Sequence, residues 1–333
     1  MTRKILLTGF VLLLVVVVGH RMTAAAQVDM NSGSVVVSAP ENFSRVVAVS
    51  DAHGMYDPLV TLLKAANLID GNLNWAAKDT LLIVVGDSID KGPNSVGILD
   101  LWISLTDQAA RNGGRLIHLL GNHEAEFLAS PGNDHKAKEL ISELAAKNIS
   151  VNELTDPNFP RGKFLRSQPL VAAVGKWLFF HAGLFPDMTW AKFQETASAL
   201  MTNGSYGDPL LSDANSLLEA RTWWPDPAQR SALEKRIMQE GFFGIVFGHQ
   251  PEAFNMPGRI GAIDDGRLIK IDNGMASQAG GNPGSVLVFE QPAEMKLAQF
   301  PHVSVIGADG KSSVLSPETV PVLTSPLLVE EED

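Results

Sequence analysis

Residues 81–90 read LLIVVGDSID, and this stretch decides the fold class of the chain. Its first five residues are apolar and rich in β-branched side chains, which is typical of a strand buried on both faces. The run stops at Gly86, and two carboxylates follow at Asp87 and Asp90. Glycine tolerates a sharp turn, and polar residues directly after a buried strand indicate a functional site at the carboxyl end of a sheet.

The same pattern occurs four more times in the chain. Each further apolar run ends at a polar cluster, and the runs lie at 46–49, 116–120, 177–180 and 244–247. The clusters contain residues that can bind metal, namely Asp51 with His53, Asn122 with His123, His181, and His249. Because ligands bind at the carboxyl ends of strands in layered α/β folds, we expect the five strands to deliver these side chains to one edge.

The segments between these runs favour an α/β fold class. Apolar residues at helical spacing predict helices over 57–67, 96–106 and 134–148. Strands at 268–272 and 285–290 are expected to close the sandwich. We therefore predict a catalytic domain over 45–291, with cap insertions at about 125–170 and 186–240, and a peripheral, partly disordered tail over 292–333.

The N-terminus has the order of features found in a secretory signal peptide. Arg3 and Lys4 precede an apolar run at 5–18, and three alanines follow at 24–26. The run is shorter than the roughly 20 apolar residues of a membrane span. We predict a signal peptide over 1–26, a loose leader over 27–44 and an exported protein, periplasmic or secreted, without a stable membrane anchor after cleavage. An uncleaved anchor is the alternative.

Composition excludes several classes of protein. The formal net charge is −11 and no Lys/Arg-rich stretch occurs, which argues against a general nucleic-acid binder. The chain has no cysteine, so disulfides, zinc–thiolate sites and cysteine nucleophiles are excluded. Neither the Gly-x-Ser-x-Gly elbow of serine hydrolases nor the Gly-x-x-x-x-Gly-Lys loop of nucleotide-binding proteins is present.

The residues after the five strands form a mixed oxygen and nitrogen donor set. Such a set suits Mn, Fe or Zn better than a metal that prefers thiolates. A carboxylate shared by two ions would hold them about 3.5–4 Å apart, as in two-metal phosphoryl chemistry. A hydrogen-bonded structural role explains any single histidine at least as well as metal binding, and for His118, inside the third run, we favour that structural role.

The order and spacing of these motifs resemble the calcineurin-like metallophosphoesterase superfamily over residues 46 to 290. The matching motifs are Asp51-x-His53, Gly86-Asp87-x-x-Asp90, Gly121-Asn122-His123-Glu124, His181 and Gly248-His249. The resemblance implies a four-layer α/β/β/α metallophosphoesterase sandwich with an inserted cap. It also implies two divalent metal ions, with Mn favoured, and direct hydrolysis of phosphate esters by metal-bound hydroxide.

The same resemblance implies a role for each site residue. The implied metal ligands are Asp51 and His53 for the first ion, Asp87 as the bridge, and Asn122, His181 and His249 for the second ion. His123 would lie outside the metal ligands, oriented by Asp90, and protonate the leaving oxygen, in keeping with histidine as the commonest general acid near neutral pH. The expected contacts to substrate phosphate are Arg221, Lys91 and Asn122.

Departures from the motifs indicate which branch the chain belongs to. Pro251 stands where many phosphodiesterase branches have a second histidine, so the chain is more similar to the phosphoprotein phosphatase branch. Lys91 stands where that branch usually has arginine, and a lysine grips phosphate less specifically. Arg221 is our choice for a phosphate-binding arginine from the cap; the alternatives are stacking of Arg221 on Trp223, and phosphate binding by Arg166 instead.

The block Asp272-Asn273-Gly274-Met275 resembles the end block of bacterial and Shewanella-like phosphatases. The leading hypothesis is therefore an exported metal-dependent phosphomonoesterase, a protein phosphatase, that acts on a phosphorylated protein or peptide or on a small phosphate ester. A phosphodiesterase or nucleotide hydrolase on the same scaffold is one alternative. A noncatalytic binding module that keeps metal for structure is the other.

Overall fold

The computed structural model describes residues 33–133 and 136–319, so the predicted signal peptide over 1–26 lies outside the described residues. The strands, numbered in chain order, are β1 (Ser34–Val37), β2 (Val46–Val49), β3 (Leu81–Val85), β4 (Arg115–Leu119), β5 (Val171–Val174), β6 (Trp177–Phe180), β7 (Gly244–Phe247), β8 (Gly261–Ile263), β9 (Leu268–Lys270), β10 (Ser285–Phe289), β11 (Val303–Gly307) and β12 (Ser312–Val314). The α-helices are α1 (Tyr56–Ala65), α2 (Ser95–Arg111), α3 (Asn122–Ala129), α4 (Lys138–Lys147), α5 (Val151–Thr155), α6 (Pro160–Arg166), α7 (Trp190–Asn203), α8 (Pro209–Ser212) and α9 (Pro227–Gln239).

The strands form two six-stranded sheets. One sheet has the order β12-β11-β10-β2-β3-β4 and the other β1-β5-β6-β7-β9-β8. In the first sheet β2, β3 and β4 pair in parallel, and in the second β6 pairs in parallel with β7. All five strands predicted to carry site residues are confirmed as strands. Three of them, β2, β3 and β4, belong to the first sheet, and β6 and β7 belong to the second. The site lies where the loops after these strands meet.

Two sheets face each other across a shared core, and helices cover their outer faces. Leu81, Ile83 and Val85 of β3 pack between the sheets with residues such as Phe179 of β6. The alternate residue Leu82 packs against α1 and α2 on the outer face of the first sheet. Each such fully buried aliphatic side chain contributes about 1.5–3 kcal/mol. The sandwich is thus an α/β/β/α arrangement, as the resemblance predicts.

The region 186–240 contributes more to the sandwich than a cap would. Phe193 of α7 and Ile237 of α9 are buried against Phe180 and Phe247 of the second sheet. These two helices therefore form the fourth layer, which corrects the prediction that the whole region is a cap. The apolar positions in both helices recur at spacings of four residues, as packing against a sheet requires. Only the loop between the two helices, around α8, lies over the site.

Both predicted margins of the catalytic domain also need correction. In the leader, β1 pairs in parallel with β5 at the edge of the second sheet. In the tail, β11 pairs with β10 and β12 pairs with β11, so the first sheet continues past residue 291. Met295 and Val303 are buried in the core between the sheets, and this burial fixes the part of the tail that contains them.

Candidate metal centre

The loops that follow the parallel strands of the two sheets meet around the carboxylate of Asp87. One oxygen of Asp87, Oδ2, lies 3.4 Å from His53 Nε2, a residue of the first sheet's loops. The same oxygen lies 3.2 Å from His181 Nε2, which follows β6 in the second sheet. His181 Nε2 also lies 3.0 Å from Asn122 Oδ1. Asp87 is therefore placed between the two halves of the predicted ligand set, as a bridging ligand requires.

Asp51 and His249 complete the cluster. The backbone N–H of His249 donates to both carboxylate oxygens of Asp51, at 3.0 and 3.1 Å, which ties the loop after β2 to the loop after β7. Asp51 Oδ1 lies 3.9 Å from His53 Nε2. All six predicted ligands are buried, and the structure brings them together in one place.

The backbone at this centre is held in conformations that ordinary residues rarely adopt. Positive φ angles occur at Asp51 (54°), His53 (42°), Asp87 (52°) and His249 (65°). A non-glycine residue in this region costs of order 1 kcal/mol or more, and such residues persist where the surrounding structure or a function demands them. Their concentration at four predicted ligands marks this cluster as a functional site.

Two glycines allow the carboxylates to approach the chain closely. A Cβ on Gly121 would lie 2.1 Å from Asp87 Oδ1, and a Cβ on Gly248 would lie 2.2 Å from Asp51 Oδ2. No side chain larger than hydrogen fits at either position without moving a predicted ligand. The glycines of the motifs are thus needed for the shape of the site.

The buried carboxylates of the centre favour binding of positive charge. Burial raises the pKa of Asp51 well above its usual value, and the nearby carboxylates of Asp272 and Asp87 raise it further. Burial alone would lower the pKa of His181, but Asp87 and Asp51 raise it to about 10. Burial would raise the pKa of Asp87, as it does for Asp51, yet the charges of His181, His123 and His53 hold the pKa of Asp87 well below its usual value. The acids thus favour a cation at this position.

The donor atoms fit divalent metal ions. Two groups lie with their ligand atoms within 4.8 Å of one another, one formed by His53, Asp87 and His123 and the other by Asp87, His181 and His249. Both groups contain Asp87. His249 Nε2 is buried and has no hydrogen-bond partner, so it is free to bind a metal. Nitrogen and oxygen ligands of this kind suit Mn, Fe or Zn.

His123 belongs to the first group by distance but is hydrogen-bonded outside it. Its Nδ1 lies 3.2 Å from Asp90 Oδ2, and its ring contacts that of His53 edge-on, with 4.9 Å between centroids. The other oxygen of Asp90 accepts the backbone N–H groups of Glu139 and Leu140 at the start of α4. Burial lowers the pKa of His123, but Asp87 and Asp90 outweigh burial and raise it above the usual value. His123 is thus held beside the proposed ligands by its contact with Asp90.

The two cations predicted to contact phosphate influence different histidines of the centre. The charge of Lys91 contributes to lowering the pKa of His53 and opposes the rise in the pKa of His123. The charge of Arg221 contributes to lowering the pKa of His249, and the side chain of Arg221 is exposed.

The alternatives for the arginine are also visible. Arg166 donates to the backbone oxygen of Thr155 and lies over the ring of Tyr206, 5.5 Å from its centroid, so it has a structural role in the cap. Trp223 is buried, and its Nε1 donates to Ala182 O at 3.0 Å. Within residues 33–133 and 136–319, the cation–π contacts do not pair Trp223 with an arginine.

His118 has the structural role favoured for it. Ser88 Oγ accepts a hydrogen bond from Trp102 Nε1 at 3.0 Å, so its own hydroxyl donates to His118 Nε2 at 2.7 Å. His118 Nδ1 then carries the proton that is shared with Leu119 O at 2.9 Å. Burial lowers the pKa of His118 to about 3, and the ring is neutral.

Two glutamates for which the sequence predicts no role also contribute to the site. Glu124 is buried and accepts backbone N–H groups of Asp87, Ser88 and Gly121 at 2.8–3.0 Å, which fixes the turn that carries the carboxylate of Asp87. Its place in the Gly-Asn-His-Glu motif was a signal for this role. Glu219 accepts from Asn122 Nδ2 at 3.3 Å. Nothing in the sequence around Glu219 indicates this contact, because the two residues are 97 positions apart.

A two-sheet sandwich with a nitrogen and oxygen ligand set at the meeting loops defines a metallophosphoesterase. Residues 44–253 match the calcineurin-like phosphoesterase family, and the chain belongs to that family. The chain is accordingly a hydrolase of phosphoester bonds, with phosphorylated substrates and divalent metal ions as its family implies.

Relatives and solved structures agree with this placement. The chain is 24% identical over 288 residues to Shewanella-like protein phosphatase 2 of Arabidopsis thaliana, covering 71% of this chain and 72% of the relative. It is 31% identical over 185 residues to a symmetrical bis(5'-nucleosyl)-tetraphosphatase of an Enterobacter species, covering 54% of this chain and 57% of the relative. The fold is similar to that of the cold-active protein-tyrosine phosphatase of a psychrophilic Shewanella species, with a TM-score of 0.66, 23% identity and coverage of 85% and 82% of the two chains.

Proposed function

We propose that this protein is a dinuclear, metal-dependent phosphomonoesterase that removes phosphate from phosphorylated proteins or peptides. The observation that carries the proposal is the position of Asp87. Its Oδ2 atom lies 3.4 Å from His53 Nε2 and 3.2 Å from His181 Nε2. A carboxylate placed between ligand groups from two sheets is suited to bridge two ions. Manganese is the proposed metal, since carboxylate, amide and imidazole ligands suit it.

The proposed binding residues divide between the two ions. Asp51 and His53 would hold one ion together with Asp87, and Asn122, His181 and His249 would hold the other together with Asp87. When bound, the two ions would neutralise charge on the phosphate oxygens and lower the pKa of a water molecule that attacks phosphorus.

The protein's own residues carry the remaining chemistry. Lys91 and Arg221 would bind phosphate from two sides, with Asn122 beside them. His123 would donate its proton to the leaving oxygen, and Asp90, which accepts from His123 Nδ1 at 3.2 Å, would keep the ring oriented with Nε2 as the donor. The pair has no evident purpose in a protein that holds metal only for structure.

Protein or peptide substrates are favoured by two features. The relatives include Shewanella-like protein phosphatases. The match to the Arabidopsis thaliana member covers 71% of this chain. In addition, Pro251 stands in place of the second histidine that favours phosphodiester chemistry. We also propose that the protein is exported, because residues 1–26 have the pattern of a signal peptide. Among the described residues, none of the helices is long and apolar enough to cross a bilayer.

A nucleotide hydrolase is the second candidate. It is favoured by the 31% identity to a symmetrical bis(5'-nucleosyl)-tetraphosphatase over 185 residues. Such a substrate carries a chain of anhydride-linked phosphates, whereas a phosphopeptide presents a single monoester.

One comparison of substrates tests the proposal. The manganese-loaded protein is given phosphotyrosine and phosphoserine peptides, a dinucleoside tetraphosphate and a nitrophenyl phosphodiester in parallel. We expect the peptides to be hydrolysed with the highest kcat/KM. Preference for the dinucleoside tetraphosphate would establish the second candidate instead. In each case Asp87→Asn and His123→Ala should lower turnover by about 100-fold or more while the protein remains folded, and unchanged turnover in either variant would contradict the assigned roles.

A further inference from the structure

The loop before α9 places one residue against a proposed ligand of the second ion. The carboxylate of Glu219 accepts from Asn122 Nδ2 at 3.3 Å. Asn122 follows β4 in the first sheet, and its Oδ1 lies close to Nε2 of His181, which follows β6 in the second sheet. Glu219 therefore supports a contact between ligands that come from opposite sheets.

The contact orients a ligand atom. Donation from Asn122 Nδ2 to Glu219 fixes the amide so that Oδ1 points to His181 Nε2, 3.0 Å away.

The loop that carries Glu219 is itself well fixed. Ser216 Oγ donates to Leu211 O at 2.9 Å and accepts from the backbone N–H of Glu219 at 3.1 Å. Ala182 N, next to His181, donates to Leu217 O at 3.2 Å. The loop is therefore attached to the end of β6, next to His181. These hydrogen bonds fix the backbone of Glu219 without help from the contact between its carboxylate and Asn122.

We infer that Glu219 is a positioning residue for the second metal ion, because its carboxylate fixes the amide of Asn122. The inference rests on the proposed dinuclear centre and assigns it a residue from outside the five strand-end motifs. Side-chain variants of Glu219 test this contact.

Metal binding, rather than turnover, is the test. Manganese binding to the chelator-stripped protein is followed by titration calorimetry, with the spin-coupled EPR signal of a manganese pair as a second readout. Wild-type protein should bind two ions. Glu219→Ala should bind the first ion normally and the second about 10- to 100-fold more weakly, with loss of the coupled signal. Glu219→Gln keeps an oxygen that accepts from Asn122 and should bind both ions nearly as wild type does.

Glu126→Ala is the matched control. Glu126 lies one helical turn from Asn122 on α3, and its carboxylate is paired with Lys136 Nζ at 2.6 Å. Among the described residues, that carboxylate has no hydrogen bond or ion pair with a proposed ligand. The variant removes the same charge from the same region, so its metal affinity should stay within about twofold of wild type. Thermal unfolding in chelator should be the same for all variants.

Three results would overturn the inference. They are normal binding of both ions by Glu219→Ala, a loss in Glu126→Ala equal to that in Glu219→Ala, and a loss in Glu219→Gln equal to that in Glu219→Ala. An equal loss in Glu126→Ala would assign the weaker metal binding to negative charge in this region in general. An equal loss in Glu219→Gln would assign it to the charge of the Glu219 carboxylate and not to its hydrogen bond with Asn122. Binding of fewer than two ions by wild-type protein would instead refute the dinuclear centre proposed above, so the two failures are distinguishable.

Discussion

Gly248 offers a direct test of how closely the carboxylates are packed at the centre. A Cβ at this position would lie 2.2 Å from Asp51 Oδ2, 2.8 Å from Ser50 Oγ and 3.0 Å from Ser50 Cβ. An ordinary contact requires about 3.4 Å or more, so Gly248→Ala must displace Asp51 or its own loop by roughly 1 Å. The φ angle of Gly248 is not positive, so the alanine is excluded by this contact and not by its backbone conformation.

A displacement of this size at a metal ligand should be expensive. A misplacement of about 1 Å in a catalytic arrangement costs on the order of 100-fold in rate, equivalent to about 2.7 kcal/mol. We therefore expect Gly248→Ala to lower kcat/KM for nitrophenyl phosphate by about 100-fold and to weaken binding of one manganese ion.

The matched control is Gly71→Ala. Gly71 has no heavy atom within 4 Å of an added Cβ and its φ is not in the left-handed region, so the variant should keep wild-type kcat/KM. Steady-state kinetics and titration with manganese are measured on both variants. If Gly248→Ala had the turnover and the metal affinity of wild type, the close packing of Asp51 would not matter for function and the reasoning would be refuted.

Three further predictions concern the surroundings of the centre. Glu124→Gln should lower the free energy of unfolding by roughly 3 kcal/mol in urea titrations, because a buried carboxylate that accepts several backbone N–H groups becomes an amide. The control Glu195→Gln, at an exposed ion pair, should leave the free energy of unfolding nearly unchanged, and an equal loss in both variants would contradict this. Burial lowers the folded-state pKa of His118 to about 3, so its neutral ring contributes fully to stability above pH 6.5, and this contribution is lost as pH falls toward 3, by up to about 1.4 kcal/mol per pH unit. The free energy of unfolding, measured with urea in chelator at pH 6.0 and 4.5, should therefore fall less between the two pH values in His118→Gln than in wild-type protein. Equal losses in the two proteins would contradict this. Asp90→Asn should lower kcat by about 100-fold with little change in KM, because His123 loses its carboxylate partner, and a change in KM alone would indicate a role in substrate binding.

The strands that carry site residues were predictable because their signal is local. Each is a short buried run that ends at a polar cluster, and both features are visible within ten residues, as at 81–90. The helices α1, α2 and α4 also follow from apolar spacing. The helix predicted over 134–148 corresponds to α4, Lys138–Lys147; residues 134 and 135 lie outside the described residues.

Other strands carry no such signal. The strand β5 reads Val-Ala-Ala-Val, and alanine has little preference for strands. The strand β1 pairs with β5 across 137 positions, which no local pattern reveals. The strands β11 and β12 lie in a stretch that composition alone suggests to be a tail, and burial of Met295 and Val303 against both sheets is a property of the folded protein.

The site divides in the same way. Donor atoms at strand ends, such as Asp87 and His181, are predicted by motif and position. Glu219 was not predictable, since it lies in a loop with no regular structure and its contact with Asn122 depends on how that loop packs over the sheets. The partition of the strands between two sheets was likewise beyond local sequence, and it is the reason that Asp87 lies between two ligand groups.

The most direct test of the central claim is hydrolysis of a nitrophenyl phosphate monoester and of the matching diester by chelator-stripped protein, before and after manganese is restored. The proposed dinuclear phosphomonoesterase predicts no turnover in the stripped protein, recovery with two manganese ions per chain, and faster hydrolysis of the monoester than of the diester. Turnover that survives complete removal of metal, or none with either ester after manganese is restored, would contradict the account.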